Sequence, residues 1–399
     1  MNPNTDKPSK HHKKIIFITL ALVVVAAGWL VWRPSKTVAP GKTGASTHTT
    51  QPQRLRLIAT GDTIAHDAIN QEAKQSDGSY NYYPMMVNMK PFFDKADVRF
   101  CNQAVPGGGT QFGISGYPVF NSPLEVANDL AKLGCNVVNT GTNHTFDKGQ
   151  AVINAELNNW DTLTSVKAVA GANRSTAEQQ VIRYFTVKGV KFAFLSYSTY
   201  SNSTPPNSYG LNMYNADTAK AQITTARTNA DIVIVSMRWG TEYSSDVNPQ
   251  QLAISQNLAD WGADLVLGHG PHVIQPVKQL AKASGGTTTV WYSIGNFLNA
   301  QEPIESLTGC IVTTDIDLQS KKLENPQCLP IYMHYEWTAT DKAKDNLLAR
   351  HGFALYPLDQ AAAPLSQSQN NTTVGAQTDR LKKILNTFTP VTMLTSKTY

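Results

Sequence analysis

The sequence predicts an α/β protein whose mixed β-sheet carries helices on its faces, and three observations support this fold class. Short apolar runs of strand length alternate with segments that have helix caps and helical periodicity. Polar residues follow several of these runs, as Asn143 follows residues 137–140. A short turn joins two further runs into an antiparallel hairpin, so the sheet combines parallel and antiparallel strands.

The amino-terminal segment predicts a membrane anchor. Residues 15–32 form an apolar run interrupted only by Thr19 and Gly28, and as a helix, at about 1.5 Å per residue, it would cross most of a bilayer. We therefore expect a cytoplasmic tail at residues 1–14, a transmembrane signal anchor at 15–32 and a flexible stalk at 33–53. A cleavable secretory signal is the alternative. The anchor predicts a single-pass cell-membrane protein with an extracytoplasmic C-terminal domain, and either interpretation exports the rest of the chain.

The charge of the chain does not favour nucleic acid as a partner. The formal net charge is +5, but residues 1–53 hold seven of the 34 Lys and Arg and one of the 29 Asp and Glu. The rest of the chain therefore has 27 basic and 28 acidic residues. A nearly neutral exported domain lacks the basic surface that polyanion binders such as nucleic-acid proteins use.

Strand-like segments are the most frequent elements. Residues 181–187 and 191–197 predict the hairpin, because Lys188 and Gly189 between them suit a short turn. The other runs end in polar loops, and loops after parallel strands meet at one edge of a sheet, where ligands bind. These runs lie at residues 55–60, 98–101, 137–140, 232–236, 263–267 and 290–293.

Two helices have clear start and stop signals. Ser122 and Glu125 have the spacing of a capping box, and Gly134 supplies a stop. The dipeptide at residues 248–249, Asn-Pro, begins the second helix, which Gly262 ends. The residues of the second helix expected to face the core are Leu252, Leu258, Ala259 and Trp261.

The folded part is expected to begin at residue 54 and to include one domain at residues 54–340. Beyond about Thr338 the alternating pattern weakens, so residues 341–399 are interpreted as a C-terminal extension. Residues 379–388 predict a short helix within it. The sequence assigns the extension no role.

The four cysteines divide into two pairs with different expectations. Cys310 and Cys328 flank a predicted hairpin in an exported chain, so a disulfide between them is as well supported as two thiols. Cys101 and Cys135 lie in apolar strand positions without zinc-binding spacing. Buried free thiols are the prediction for this second pair.

A series of polar motifs is the most distinctive feature of the sequence. In chain order they are GDTIAHD at residues 61–67, FCNQAVP at 100–106, GCNVVNTGTNHTFDKG at 134–149, VAGANR at 169–174, VSMRWGTEYSSDVNPQQ at 235–251, GADLVLGHGPHVIQP at 262–276 and WYSIGNF at 291–297. Over roughly residues 54–341 they resemble the CapA family of capsule and poly-gamma-glutamate synthesis proteins, a branch of the calcineurin-like metallophosphoesterase superfamily. The resemblance implies a four-layer α/β/β/α sandwich with a two-metal site where these loops meet.

The resemblance also implies roles for individual residues. Asp62 and one late histidine would hold the first divalent ion, Asn143 and the other histidine the second, and His144 would act as an acid or orienting group. Taken alone, Asp62 and Asn143 would more often satisfy loop backbone. The positions that match metal ligands are Asp62, His66, Asn143, His269 and His272, and Mn, Zn and Fe all suit such donors. The positions that match supporting residues are Asn102, Glu242, Tyr243 and Asn296.

Three residues depart from the family pattern. Ala104 stands where the family usually has Glu, Arg238 where it has the His of His-Trp-Gly, and Gly270 where it has the second His of Gly-His-His-Pro-His. Alanine has no ligand atom, and arginine has no lone pair to donate. We therefore expect at most one tightly bound divalent ion.

Arg238 is the departure with the clearest chemical consequence. The changes at Ala104 and Arg238 make the pocket more positive by two charges, the charge of one divalent ion. We hypothesise that Arg238 takes over part of a lost metal's role, by pairing with Asp62 or by gripping an anionic ligand. The alternative is that Arg238 points to solvent beside Trp239.

Three functions fit these observations. The first is a membrane-anchored CapA-like protein that acts in synthesis, attachment or release of an anionic surface polymer, with that polymer or its synthesis machinery as partner. The second is a pseudoenzyme that binds an anion without turnover. The third is a secreted metallophosphoesterase, which Ala104 and Arg238 disfavour. The sequence leaves open whether the chain is an enzyme, and it identifies neither the polymer nor the bond.

Overall fold

The computed structural model describes residues 53–399 as an α/β fold with two mixed β-sheets, which confirms the α/β class that the sequence predicts. The strands are β1 Arg54–Thr63, β2 Val98–Gln103, β3 Val137–Asn139, β4 Ala168–Ala170, β5 Arg183–Val187, β6 Val190–Ser198, β7 Ile232–Arg238, β8 Leu265–His269, β9 Val277–Ala281, β10 Thr287–Trp291, β11 Thr308–Asp317, β12 Leu323–Glu336, β13 His351–Pro357 and β14 Thr392–Met393. The helices are α1 Asp67–Ala73, α2 Tyr83–Met86, α3 Lys90–Phe93, α4 Glu125–Leu133, α5 Gln150–Thr162, α6 Thr176–Gln179, α7 Ala216–Asn229, α8 Pro249–Trp261, α9 Ile304–Leu307, α10 Ala339–Ala343, α11 Ala362–Gln367 and α12 Val374–Leu385.

Each sheet combines parallel and antiparallel strands. The first runs in the order β13-β12-β11-β1-β2-β3-β4, with β14 beside β12, and its strands β1 to β4 are parallel. The second runs β5-β6-β7-β8-β10-β9, with β6, β7, β8 and β10 parallel. The predicted hairpin is β5 and β6, which turns through Lys188 and Gly189 at positive φ. Since parallel strands end at the same edge, the polar residues after them are brought together.

Both faces of the second sheet are buried. Phe194 points toward the first sheet and meets Phe100 of β2 with ring centroids 5.8 Å apart. Its neighbour Leu195 points the other way, into a core with Ile223 of α7 and Leu258 of α8. The same alternation continues along β7, because successive side chains of a strand face opposite sides. The two sheets therefore face each other, and helices cover the outer face of the second.

The two capped helices follow the sequence closely, with two corrections. Asn248 and Gln251 form a capping box at α8, and Gly262 ends the helix at φ 113°. Leu252 was predicted to face the core but is 38% exposed, because it lies on the solvent side of the helix. The Ser122 hydroxyl caps nothing, and α4 begins only at Glu125 after a preceding turn.

The C-terminal segment is built into the first sheet. Residues 351–357 add β13 beside β12, and β14 pairs with the other part of β12. The predicted helix at residues 379–388 is α12, which begins earlier, at Val374, because Thr373 accepts a hydrogen bond from the Ala376 amide. Residues 341–399 thus complete the sheet, and the described chain forms one compact unit.

Two disulfides link neighbouring strands. Cys310 joins Cys328 between β11 and β12, with Cα atoms 5.5 Å apart. Cys101 joins Cys135, with Cα atoms 5.8 Å apart, so the prediction of two free thiols was wrong. That prediction rested on spacing along the chain, whereas Cys101 of β2 lies beside the start of β3, where residue 135 arrives from α4.

The predicted tail, signal anchor and stalk, residues 1–14, 15–32 and 33–53, lie outside the described residues except for Gln53. Among residues 53–399, no helix is both long and apolar enough to cross a membrane.

Candidate functional site

The loops after the parallel strands converge on one pocket of about 290 Å³. It opens where β1, β2, β3 and β7 end, as the strand pattern predicted. Nine of the predicted positions line it, namely Asp62, His66, Asn102, Asn143, His144, Arg238, Glu242, Tyr243 and His272. His269 and Asn296, also predicted, lie buried directly behind Asp62 and His272. The structure brings the predicted residues together, while their individual roles stay predictions.

Asp62 is fixed by a close approach of two backbones. Its amide donates to the Gly295 carbonyl at 3.1 Å, and Asn296 bridges to it like a neighbouring strand. A Cβ at Gly61 would overlap the Gly295 carbonyl, so only glycine permits this approach. The carboxylate of Asp62 is held in one position as a result.

The Asp62 carboxylate is surrounded by donors. Asn102 Nδ2 donates to Oδ1 at 2.6 Å, His272 Nδ1 lies 2.8 Å from Oδ2, and His269 Nδ1 lies 3.6 Å from Oδ1. Burial alone would raise the pKa of Asp62, but the hydrogen bond and charge of His272, with His269 and Arg238, hold it below its usual value. Asp62 is therefore a buried anion at one end of the pocket.

His269 is buried and lacks hydrogen bonds. Its ring is 1% exposed, stacks on Phe100 with centroids 5.4 Å apart, and neither ring nitrogen has a partner among the described residues. Burial lowers the pKa of His269 to about 4, so the ring is neutral and has a lone pair. A buried imidazole with unused nitrogens beside a carboxylate has the donor chemistry of a metal ligand.

His272 and His66 are held by contacts that His269 lacks. His272 takes a positive φ of 60°, an uncommon backbone conformation for this residue type that marks a constrained position. His66 lines the pocket, but its Nδ1 accepts the Ala300 amide at 3.2 Å. Both rings are held by the surrounding protein rather than free in solvent.

Arg238 forms the other end of the pocket. Its Nε donates to Asn143 Oδ1 at 2.7 Å, its Nη2 donates to Glu242 Oε1 at 3.0 Å, and its guanidinium lies over the Tyr200 ring at 4.6 Å. The residue is 2% exposed, which excludes the alternative that it points to solvent. Its carboxylate partner is Glu242 rather than Asp62. The reason is that Asn143 and Tyr200 direct the guanidinium toward the pocket mouth.

The departures from the family pattern at Gly270 and at Arg238 depend on each other. A Cβ at Gly270, which has φ 111°, would overlap Nη1 and Cζ of Arg238. The guanidinium therefore occupies the space that a side chain at residue 270 would need. Two departures from the family pattern are thus explained by a single packing requirement.

Ala104 forms part of an apolar wall. It packs with Ile64, Val105 and Phe120 in a small buried cluster, and all four residues line the pocket. The position where the family has a carboxylate thus offers a ligand only nonpolar surface. The pocket combines an anionic end, a cationic end and this apolar side.

His144 belongs to a hydrogen-bonded pair that the sequence reasoning missed. Its Nδ1 lies 2.7 Å from Asp147 Oδ2, and its Nε2 lies 3.4 Å from Asn202 Nδ2. Asp147 also accepts the Phe120 amide at 2.8 Å, so it fixes both the ring and the apolar wall. The i, i+3 spacing of His144 and Asp147 was a usable signal, as was the position of Tyr200 just after β6.

The residues of the pocket suit the two expected metal positions unequally. Asn143 Oδ1, the expected ligand of a second ion, already accepts from Arg238, whose positive charge fills that side of the pocket. Asp62 with His269 and His272 retains suitable donors for a first ion. Across residues 53–399, however, no three His, Cys, Asp or Glu side chains, these three included, already surround a common metal position, and His272 Nδ1 lies 2.8 Å from Asp62 Oδ2. The residues do not fit a two-metal centre.

Comparison with known proteins gives consistent matches. The family model described as bacterial capsule synthesis protein PGA_cap matches residues 56–301. The "PGA biosynthesis protein CapA" of Bacillus subtilis (strain 168) is 28% identical over 221 residues, which are 55% of this chain and 56% of that protein. The "Capsule biosynthesis protein CapA" of Bacillus anthracis is 23% identical over 312 residues, 74% of this chain and 70% of that protein. The chain thus spans little more than half the length of the first relative.

Among solved structures, the 5'-nucleotidase from Candida albicans SC5314 is similar with a TM-score of 0.40 and 12% identity. The match covers 82% of this chain and 57% of that one. This degree of likeness carries no inference about the chain.

Proposed function

Because this chain belongs to the bacterial capsule synthesis protein PGA_cap family, we propose that it acts in the synthesis, attachment or release of an anionic cell-surface polymer such as poly-gamma-glutamate. The names of the two Bacillus relatives support this assignment. The proposed location is outside the cytoplasm, with a membrane anchor at residues 15–32. Two disulfides support export, since oxidising compartments favour such bonds.

The observation that carries the proposal is the buried guanidinium of Arg238. Its Nε is fixed by Asn143 and its Nη2 faces the pocket, so a permanent cation stands where an anionic ligand enters. Arginine holds carboxylate or phosphate oxygens by charge-assisted hydrogen bonds. The chain's own residues thereby bind and orient an anionic group without a second metal.

The layering of the two facing sheets supports the finer proposal of a metallophosphoesterase-like four-layer arrangement. In it, Asp62, His269 and His272 would hold at most one divalent ion, which would supply Lewis-acid chemistry when bound. The residues around it have separate roles: Asn102 orients the Asp62 carboxylate, and Ala104 excludes water from one side.

A hydrolytic function is the second candidate, and one observation favours it. His144 is oriented by Asp147 at 2.7 Å and lines the same pocket, which is the geometry of a general acid with a fixed tautomer. In this candidate the imidazolium form of His144, whose charge Asp147 balances, would give its Nε2 proton to the leaving group, and the neutral ring that remains would take a proton from the attacking water. A secreted phosphoesterase would use the same residue.

The test is to measure binding of poly-gamma-glutamate by the purified protein, with a chelator and with added Mn²⁺ or Zn²⁺. We expect binding that persists in the chelator, because Arg238 supplies the cation. Turnover of the polymer or of a phosphodiester is assayed in parallel. Binding that disappears with the chelator, together with metal-dependent turnover, would support the hydrolytic candidate instead.

A further inference from the structure

Glu242 occupies the ligand-facing edge of Arg238, and we infer that it is an internal substitute for the carboxylate of a glutamyl-type ligand, which binds by displacing it. This inference rests on the proposed function and adds a self-occupied state of the pocket, in which a residue of the chain holds the place of the ligand carboxylate. Its basis is the geometry of the three side chains that meet at the mouth, Arg238, Glu242 and Tyr200.

The Arg238 guanidinium has one edge available to a ligand. Nε is used by Asn143, and Nη1 lies near the Trp239 carbonyl at 3.4 Å and against Gly270. One face is covered by the Tyr200 ring. Only the Nη2 edge faces the pocket, and Glu242 Oε1 accepts from it.

Glu242 is the most exposed member of this group. Its side chain is 42% exposed, whereas that of Arg238 is 3% exposed. It lies in the turn that follows β7, outside any helix or strand. Only Oε1 is engaged in the described contacts: besides Arg238, Tyr200 Oη donates to it at 3.3 Å, and His272 Nε2 lies 4.0 Å away without a hydrogen bond. Moving Glu242 into solvent therefore breaks few contacts.

The buried guanidinium needs another acceptor when Glu242 moves away. A desolvated charge that loses its partner is strongly destabilising, so displacement needs a replacement acceptor at the same place. A ligand carboxylate meets this need at no net change in charge. It accepts from Arg238 Nη2 and from Tyr200 Oη, whose phenol stays protonated because burial raises the pKa of Tyr200 to about 12.

The rest of the pocket favours a carboxylate on an aliphatic stem. The wall formed by Ile64, Ala104, Val105 and Phe120 offers apolar contacts next to the cationic end. A phosphate dianion would bring a second negative charge toward the Asp62 end. A γ-linked glutamyl residue has one free carboxylate on its Cα, and the two methylenes beside it can contact the apolar wall, so it matches both the charge and the wall.

The test compares Glu242→Gln with Glu324→Gln in the full chain. Glu324 is a matched control, because its side chain is 39% exposed and pairs with Arg54 at 3.2 Å, away from the pocket. The probes are a γ-linked pentaglutamate and, separately, inorganic phosphate, titrated calorimetrically at one salt concentration. We expect Glu242→Gln to bind pentaglutamate about tenfold more tightly than wild type, and Glu324→Gln to bind it like wild type.

The remaining outcomes distinguish this inference from the proposed function. Wild-type binding of pentaglutamate with an unchanged or weaker affinity in Glu242→Gln would overturn the displacement and leave the proposed function intact. Tighter binding of phosphate alone would overturn the carboxylate class. Binding of neither probe by any variant would overturn both proposals. In Arg238→Ala, the gain from Glu242→Gln should vanish, because the competing contact no longer exists.

Discussion

The two ends of the pocket each hold a buried charged residue at the end of a parallel strand, and the two charges are opposite. Asp62 and Arg238 both lie at the carboxyl end of a parallel strand, and both are buried. Asp62 is an anion surrounded by imidazoles and an amide, whereas Arg238 is a cation surrounded by an amide oxygen, a carboxylate and an aromatic face. The comparison teaches that the fold determines where the polar groups meet, while single residue types determine which charges the site can hold.

The packing that supports the cationic end is tested by Gly270→Ala. The new Cβ would overlap the Arg238 guanidinium at φ 111°, so we expect a loss of roughly 2 to 4 kcal/mol in the free energy of unfolding, from overpacking and backbone strain together. Gly285→Ala is the control, because φ is 88° there and no atom lies near the new Cβ. Urea unfolding compares the two. Equal costs would show that the guanidinium does not occupy this space.

Removal of the cation itself is the next largest change. Arg238→Ala should weaken binding of an anionic ligand by about 1.5 to 3 kcal/mol, the range for a lost hydrogen bond to a charged group. Arg174→Ala removes the same charge from a surface network with Asp161 and Glu178 and should leave affinity unchanged. Titration calorimetry measures both. An affinity that falls equally in both variants would point to overall charge rather than to the pocket.

Glu156 extends the comparison of buried charged residues, because it is a buried acid with no cationic partner among the described residues. Its partners are the Gln103 amide at 2.6 Å and the Gly107 backbone amide, and burial raises its pKa from 4.5 to about 8. The folded state therefore binds a proton more tightly than the unfolded state. The stability from Glu156 is fully present below about pH 4.5 and is lost as the pH rises toward about 8.

We expect the free energy of unfolding of Glu156→Gln to fall less than that of wild type between pH 5 and about pH 8. The measurement is urea unfolding across this range. Glu302→Gln, a change at an exposed residue paired with Lys342, controls for surface charge. The same pH slope in wild type and Glu156→Gln would mean that Glu156 is ionised throughout.

Strand positions and the polar residues after them were predictable, because apolar runs and turn residues are local signals. The convergence on one pocket followed from the parallel order, and the α8 caps were readable in Asn248 and Gly262. The Cys101–Cys135 bridge and the Arg238–Glu242 contact were not predictable in the same way. The bridge depends on which strands become neighbours across the sheet, and the contact depends on how the loop after β7 turns back so that residues four apart meet. Spacing along the chain carries neither piece of information.

The C-terminal segment shows a further limit of prediction from the sequence. Its strand β13 was missed because the apolar run at residues 353–356 is short, follows the exposed residues His351 and Gly352, and ends at Pro357. Pairing with the long strand β12 stabilises it in the folded protein. Tertiary context here outweighs local propensity.

The metal content of the purified protein, determined by mass spectrometry as ions per chain, tests most directly the claim that Arg238 replaces a cation. The wild type should hold at most one divalent ion, and His269→Ala should lose it. The double change Arg238→His with Ala104→Glu should raise the occupancy, since it restores two of the family's ligands and removes the competing charge. Two ions per wild-type chain, or no gain in the double variant, would contradict the account.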